Sequence, residues 1–274
     1  MTALTNTLAS PAARAPRAVA RASHGAALRH FVRMEFLKLL RMPTFVIPVL
    51  LFPILFFAMF GMRQLQDSLG GLDGGSYMLV AYGSYTVMSV AMFSFSVSVA
   101  VERSLGWHAL LRASPMPAWV YFLGKSLLTA VFGMLSVAVL FAFCRFVAGI
   151  QVPAGMLLGV LGCLAIGLVP FSALGLLLGY VLGPNSVVGV ANGLFLCLAF
   201  ASGIFVPYPA LPQLVREIAL YLPSYHLARM GWNVVSQHPL ADQLPHLAWL
   251  AGYSVLFFGA ARLAYQRGSH KAQG

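Results

Sequence analysis

Charge is what this sequence has least of: Asp, Glu, Lys and Arg make up 8% of 274 residues, and 60% are hydrophobic. A water-soluble domain carries about 25% charged residues, so a soluble globular fold is excluded and the chain belongs in lipid. Acid is scarcer than base, with 6 Asp and Glu against 17 Lys and Arg and a net charge of +11. Cysteine is nearly absent too. Cys144, Cys163 and Cys197 lie inside apolar runs, which leaves no disulfide framework and no CxxC or Cys/His metal spacing; they read as packing residues.

Catalytic constellations are missing as well. Gly124-Lys125-Ser126 spells the end of a phosphate-binding loop, but the glycine required five positions earlier is Trp119 and no strand precedes it. None of the seven His forms HExxH, no Ser sits in GxSxG, and no two carboxylates share a segment. His226, His238 and His246 are interfacial, which keeps a lipid-modifying membrane enzyme among the readings. No acid lies near a bilayer midplane, where ion-coupled transporters hold ionisable groups, so uphill movement would need energy from elsewhere.

Long apolar runs, in contrast, are abundant. Six stretches reach the roughly 20 residues a spanning helix needs: Thr44 to Met62, Tyr77 to Val101, Leu123 to Ala148, Ala154 to Leu182, Ser186 to Val206 and His246 to Tyr265. The fold class is therefore an all-α polytopic membrane protein. Residues 1–24 read as an Ala/Arg-rich tail, 25–265 as the six-span domain and 266–274 as a C-terminal tail.

Cations resist translocation, and a cytoplasmic N-terminus places Arg14, Arg17, Arg21, Arg29, Arg33, Lys38, Arg41, Arg103, Arg112, Lys125, Arg262, Arg267 and Lys271 inside. Only Arg63, Arg145, Arg216 and Arg229 then fall outside, beside Asp67, Asp73, Glu217 and Asp242. Both termini are expected in the cytoplasm. The basic excess is a topology signal, and nucleic acid is not an expected partner.

The acid-free first 30 residues read either as a transit peptide or as a disordered leader. From Gly25 to Pro43, Leu28, Phe31, Val32, Phe36, Leu39 and Leu40 alternate with Arg29, Arg33, Lys38 and Arg41, as in an interfacial amphipathic helix stopped by proline. Gly155/Gly159, Gly175/Gly179, Gly179/Gly183 and Gly189/Gly193 are spaced for close helix approach. Pro170 is placed to kink the fourth span. The hydroxyls of Ser84, Ser89, Ser94, Ser96 and Ser98 in the second span either line a polar path or bond back to their own helix.

Between the second and third spans, Glu102-Arg103 and Gly106 lead into Trp107-His108-Ala109-Leu110-Leu111-Arg112 and the stop Ser114-Pro115-Met116-Pro117; Gly124-Lys125 then opens the third span. A short amphipathic cytoplasmic helix in this position could serve as a lever for a soluble partner, or be a simple basic loop. At these residues the chain resembles the permease subunits of type 2 ABC exporters, which carry drugs, antibiotics, lipids and polysaccharides. The family pattern Glu-Arg-Glu-x-Gly-Thr-Leu-Glu-x-Leu, Ser-Pro, Gly-Lys is met by Glu102-Arg103-Ser104-Leu105-Gly106, Leu111, Ser114-Pro115 and Gly124-Lys125. Ser104 stands in place of the second Glu, and Trp107-His108-Ala109 replaces Thr-Leu-Glu. Ser202-Gly203-Ile204-Phe205-Val206-Pro207, Leu211-Pro212 and Leu222-Pro223-Ser224-Tyr225 are similar to the family's outer re-entrant segment, with Leu222 in place of Asn. Glu35-Phe36-Leu37-Lys38-Leu39-Leu40-Arg41 resembles its connecting helix.

The resemblance implies a plasma-membrane (inner-membrane) export permease without an ATPase site of its own. A second permease copy, in a homodimer or heterodimer, would complete it, and two copies of a separate ATPase subunit would bind ATP and Mg, so that no cofactor sits on this chain. The implied coupling residues are Glu102, Arg103, Gly106, Trp107, Leu111, Arg112, Ser114, Pro115 and Lys125. Arg33, Glu35, Lys38 and Arg41 belong to the connecting helix, and Gly203, Pro207, Pro212 and Pro223 to the outer segment. A non-transporting membrane scaffold of the same fold is the alternative that the sequence leaves beside these.

Overall fold

The computed structural model describes residues 24–41, 43–106 and 118–271. Helix α1 (His24–Leu40) precedes α2 (Pro43–Phe56), which runs on through a π-turn (Phe57–Gly61) and a 3-10 turn (Met62–Gln64). A two-stranded hairpin, β1 (Ser68–Leu69) and β2 (Leu72–Asp73), turns on Gly70 and Gly71 at positive φ. There follow α3 (Gly74–Ser104), α4 (Ala118–Phe146), α5 (Ala154–Val181), α6 (Pro184–Ala201), α7 (Gln213–Ala219), α8 (Pro223–Val235) and α9 (Leu244–Lys271).

Among the described residues, six helical stretches are long and apolar enough to span: Val46–Gln64, Gly74–Ser104, Trp119–Phe146, Ala154–Val181, Pro184–Ala201 and Leu240–Gln266. The chain is an all-α polytopic membrane protein, as its composition requires. Span ends differ from the sequence reading where capping, not hydropathy, sets them. The second begins at Gly74 because the Asp73 carboxylate accepts the Ser76 N–H at 2.8 Å, an N-cap bond. The fifth ends at Ala201, before Gly203 turns at φ +86°, and α9 carries its backbone to Lys271, into the stretch read as a tail.

Helices α3 and α5 form the centre. In the most apolar window of each, 67% and 56% of residues are buried, against 17% in the first span and 11% in the last. Met78, Tyr82, Met88 and Met92 of α3 meet Leu164 and Phe171 of α5 in the main core. The two backbones approach where side chains are absent. A Cβ on Gly175 would stand 2.5 Å from the Met92 carbonyl oxygen, and one on Gly179 would stand 2.8 Å from Val99 Cβ, so this part of the glycine spacing serves close packing. Gly155, Gly183, Gly189 and Gly193 meet nothing within 4 Å among the described residues. Helix α5 continues through Pro170.

Helix α2 holds Pro48 and Pro53. Proline lacks an N–H, so Pro53 leaves the Val49 carbonyl without its usual donor; Ser136 of α4 supplies the bond, Oγ to Val49 O at 2.7 Å. Leu51, Phe52, Leu55 and Phe60 of this span are exposed, the reverse of a water-soluble core.

Helix α8 is the short element that penetrates the body, with Pro223 through Ala228 and Met230 through Asn233 buried. It meets α5 where Gly167 faces Leu227, and α3 where Gly231 faces Val80.

Candidate functional site

Three span ends converge at Glu102. The last turn of α3 carries Glu102 and Arg103, and the first turns of α4 carry Tyr121 and Lys125, one helical turn apart and so on one face. Lys125 Nζ donates to Glu102 Oε1 at 2.6 Å, and the Tyr121 hydroxyl donates to Glu102 Oε2. Nζ also lies 5.1 Å from the Tyr121 ring centroid. The Lys125 side chain is 9% exposed and that of Glu102 21%, so this is a largely desolvated ion pair. Such pairs persist only with good geometry and further hydrogen bonds, which Tyr121 provides.

Arg103 reaches the other way. Its guanidinium donates to the carbonyls of Tyr180 and Leu182, the latter at 2.7 Å. These carbonyls belong to the end of α5, where helix carbonyls lack amide partners and the dipole favours a cation. Adjacent residues of α3 thus hold α4 and α5.

Gly106 closes α3 at φ +72°, its N–H bonded to Arg103 O at 3.1 Å; a left-handed residue here is the usual glycine helix stop. Gly124 has a different role: a Cβ there would lie 2.4 Å from Phe31 Cδ1 of α1, so the missing side chain lets α1 seat on α4. Phe31 also meets Tyr121, ring centroids 5.9 Å apart. The Gly-Lys pair is therefore a docking notch followed by an ion-pair partner. Trp107, Leu111, Arg112, Ser114 and Pro115 lie outside the described residues.

On α1, Lys38 pairs with Glu35 at 3.1 Å on the surface, and Arg33 and Arg41 are exposed. Glu35, Lys38, Glu102 and Lys125 all line one cavity of about 880 Å³ between α1, α2, α3, α4 and α6. The rest of its wall is apolar apart from hydroxyls such as Ser94 and the Asn192 amide, and includes Phe52, Phe56, Phe93, Phe132 and Phe195. Of the α3 serines, Ser89 and Ser98 bond back to the carbonyls of Thr86 and Ser94 at 2.9 and 2.5 Å, and Ser89, Ser94 and Ser98 line this mostly apolar cavity. Ser84 and Ser96 are buried away from it, without a hydrogen-bond partner among the described residues.

At the far end of α3 lies the segment from Ser202 to Pro223. Tyr77 to Glu102 is 25 residues of helix, about 37 Å at 1.5 Å per residue. The Tyr77 hydroxyl donates to Gly203 O at 3.0 Å and accepts the Tyr208 N–H at 3.1 Å. Pro207 precedes a 3-10 turn, Pro212 precedes α7, and Pro223 opens α8 at the position where a missing N–H costs nothing.

His226 of α8 and His246 of α9 face each other nearby, Nδ1 to Nδ1 at 2.8 Å, with Trp249 stacked on His226 at 5.1 Å. Burial, then the neighbouring His246, pushes the His226 pKa down to about 4. His238 bonds Asp242 at 3.0 Å. Among the described residues no group of three His, Cys, Asp or Glu could hold a metal.

The sequence placed Phe31 on the apolar face of the interfacial helix without its partner, and did not single out Tyr121 or the Tyr180 and Leu182 carbonyls. The four-residue spacing of Tyr121 and Lys125 was the available signal for Tyr121; the others are tertiary contacts without a local mark.

A family described as ABC-2 type transporter matches residues 26–231. YvfS of Bacillus subtilis (strain 168), which bears the name transport permease, is 28% identical over 202 residues, 73% of this chain and 82% of the relative. The family match spans the Glu102 cluster, the cavity wall and most of α8.

Proposed function

The chain belongs to the ABC-2 type transporter family, and from that premise we propose that it is an export permease moved by a separate ATPase gripping the segment between α3 and α4. The observation that carries this reading is the Glu102–Lys125 pair. It joins the span that precedes residues 105–117 to the span that follows them, while Arg103 links the same point to α5. A push that reaches either of these span ends is thereby shared among three spans.

In this reading Glu102 and Lys125 form the hinge, Arg103 passes displacement to α5, and Gly106 sets where the rigid helix stops. Arg112, with Trp107 and Leu111, supplies the contact to the partner, and Ser114-Pro115 ends the lever. Helix α1, seated on α4 through Gly124 and Phe31, is the second element the partner touches. Two ATPase copies bind ATP and Mg; their closure drives two permease copies between inward- and outward-open states. The Glu102 end faces the cytoplasm of an inner (plasma) membrane, with both termini on that side, and Gly203, Pro207, Pro212 and Pro223 shape the outer segment.

The test is copurification with the ATPase encoded beside it, followed by ATPase rates in vesicles. The permease is expected to raise the rate, and Arg103→Ala or Arg112→Glu to lower that rise with membrane insertion unchanged. A chain that associates with no ATPase, or that acts on lipid when purified alone, overturns the proposal.

A further inference from the structure

Helix α1 carries apolar residues on two opposite faces, and the described protein covers only one of them. At 3.6 residues per turn, Phe31, Val32, Phe36 and Leu39 fall on one arc. That arc is seated on α4: Phe31 and Val32 meet Gly124, Phe31 meets the Tyr121 ring, Phe36 meets the Phe132 ring at 5.5 Å between centroids, and Leu39 joins the cluster around Phe132. On the opposite arc Met34, Leu37 and Leu40 are exposed, with Arg29, Arg33 and Arg41 exposed among them. These six positions lie within about 140° of the helix circumference.

The three arginines have no counter-ion within the chain, which holds six acidic residues in all. Glu35 pairs with Lys38, and Glu102 with Lys125. Asp67 and Asp73 flank the start of α3, while Glu217 and Asp242 belong to the segments tied to Tyr77 through Tyr208 and Trp232. All four therefore sit at the end of α3 that lies about 37 Å of helix from Glu102. Water would satisfy the arginines and leave the apolar residues exposed; lipid tails would do the reverse. The boundary between tails and headgroups supplies both, with long cationic side chains reaching phosphate from a helix whose apolar residues face the tails. The connection to the first span holds the helix at that boundary, since α1 ends at Leu40 and α2 begins at Pro43.

We infer that the face of α1 bearing Arg29, Arg33 and Arg41 binds the phosphate headgroups of anionic phospholipids; that their leaflet is the cytoplasmic one rests on the permease reading. The guanidinium fork matches phosphate in a two-point contact, and three unneutralised cations on one face draw lipid of opposite charge. The lipid is a partner of the fold and not cargo, because α1 lines the cavity with Glu35, Lys38 and Leu39 and with none of the residues of this face. Glu35 and Lys38 are left as the contact of the ATPase on α1. Helix α1 is thereby fixed from both sides, by α4 on one and by headgroups on the other.

The experiment uses the purified full chain in phosphatidylcholine nanodiscs carrying traces of either phosphatidylglycerol or phosphatidylcholine with a diazirine near the headgroup. After illumination, labelled peptides are mapped by mass spectrometry, and α6, which contains no charged residue, is the internal reference. Relative to α6, the phosphatidylglycerol probe is expected to label α1 about tenfold more than the phosphatidylcholine probe does. High salt is expected to shrink this preference. Arg29→Gln, Arg33→Gln and Arg41→Gln are each expected to lower it by up to about fivefold, the equivalent of about 1 kcal/mol per cation near the surface, and the three together to abolish it. The combination Arg29→Lys, Arg33→Lys and Arg41→Lys keeps the charge and is expected to keep the preference.

Because these positions are exposed, the variants are expected to fold, and melting temperatures check this; the single variants and the salt series carry the test if the triple Gln variant does not fold. Equal labelling of α1 by both probes overturns the inference. So does displacement of the preference by inorganic phosphate at matched ionic strength, which marks a free-phosphate site. A preference that survives the triple Gln variant overturns it as well and assigns the arginines to the ATPase. The readout involves no ATPase, so a failure here is distinct from a failure of the permease to stimulate its partner.

Discussion

Tyr77 lies flat against Trp232, ring centroids 4.4 Å apart and planes 16° from parallel, and the Trp232 Nε1–H donates to the Tyr77 carbonyl at 3.1 Å. One residue of α3 thus anchors α8 through its ring and backbone and the Gly203–Tyr208 turn through its hydroxyl. This explains how a segment too polar to span can sit inside the body: its turn is tied to the central helix by bonds that need no water.

Tyr77→Phe keeps the stack and removes the hydroxyl. Gly203 O loses its donor and Tyr208 N–H its acceptor, and the expected loss is about 1–3 kcal/mol. Trp232→Ala removes both ring and donor and is expected to cost more, about 3–5 kcal/mol. Unfolding of the purified chain in mixed micelles, followed by tryptophan emission for Tyr77→Phe and by circular dichroism for both, gives the ranking. Equal stability of Tyr77→Phe and the unaltered chain would show that the hydroxyl bonds contribute nothing.

The Glu102–Lys125 pair calls for a double-mutant cycle. Lys125→Met strands a desolvated carboxylate and is expected to cost about 3–5 kcal/mol, while Glu102→Gln with Lys125→Met is expected to recover a substantial part of that loss. Additive losses in the two single variants and the double variant would mean that the residues act separately.

At Gly124 the expected defect is local. Alanine there must displace the Phe31 ring, since its Cβ would stand 2.4 Å from Cδ1, and overpacking of this kind costs about 1–3 kcal/mol. Adding Phe31→Leu to Gly124→Ala is expected to restore most of it. A cysteine cross-link between α1 and α4 that forms in the unaltered chain and weakens in Gly124→Ala reports the displacement directly.

Acid is expected to loosen α8 from α9. His226 has its pKa lowered to about 4 by burial and by His246, from about 6.5 in an unfolded chain. The folded state therefore binds fewer protons than the unfolded state between these values. The stabilisation is present above about pH 6.5 and is lost as pH falls toward 4. Melting temperature across pH 7 to 4 should fall in the unaltered chain, and the part of that fall due to the pair should vanish in His226→Phe. Identical slopes in the two proteins would refute the assignment.

The spans were legible because burying backbone in lipid demands long apolar runs, and these survive any choice of neighbours. Their ends were less so: Asp73 and Gly203 set boundaries by capping and by positive φ, which hydropathy does not record. Glu102, Arg103 and Lys125 stood out as charges at span ends, yet nothing local indicated that Lys125 would turn inward to Glu102 rather than outward. Phe31 and Gly124 are more than ninety residues apart, and their fit is visible only when α1 lies on α4. The glycine spacing was informative for Gly175 and Gly179, which meet α3, and uninformative for Gly189 and Gly193, which an identical pattern leaves facing open space.

The serine bond to Val49 also bears on how the protein is assembled. A membrane helix ordinarily satisfies its own carbonyls before it meets a neighbour. Pro53 prevents that in α2, and the missing donor comes from Ser136, 87 residues later in the chain. The span that contains α2 is chemically unfinished until α4 has emerged beside it, so correct pairing of those two is rewarded during biogenesis before the helices that follow them exist.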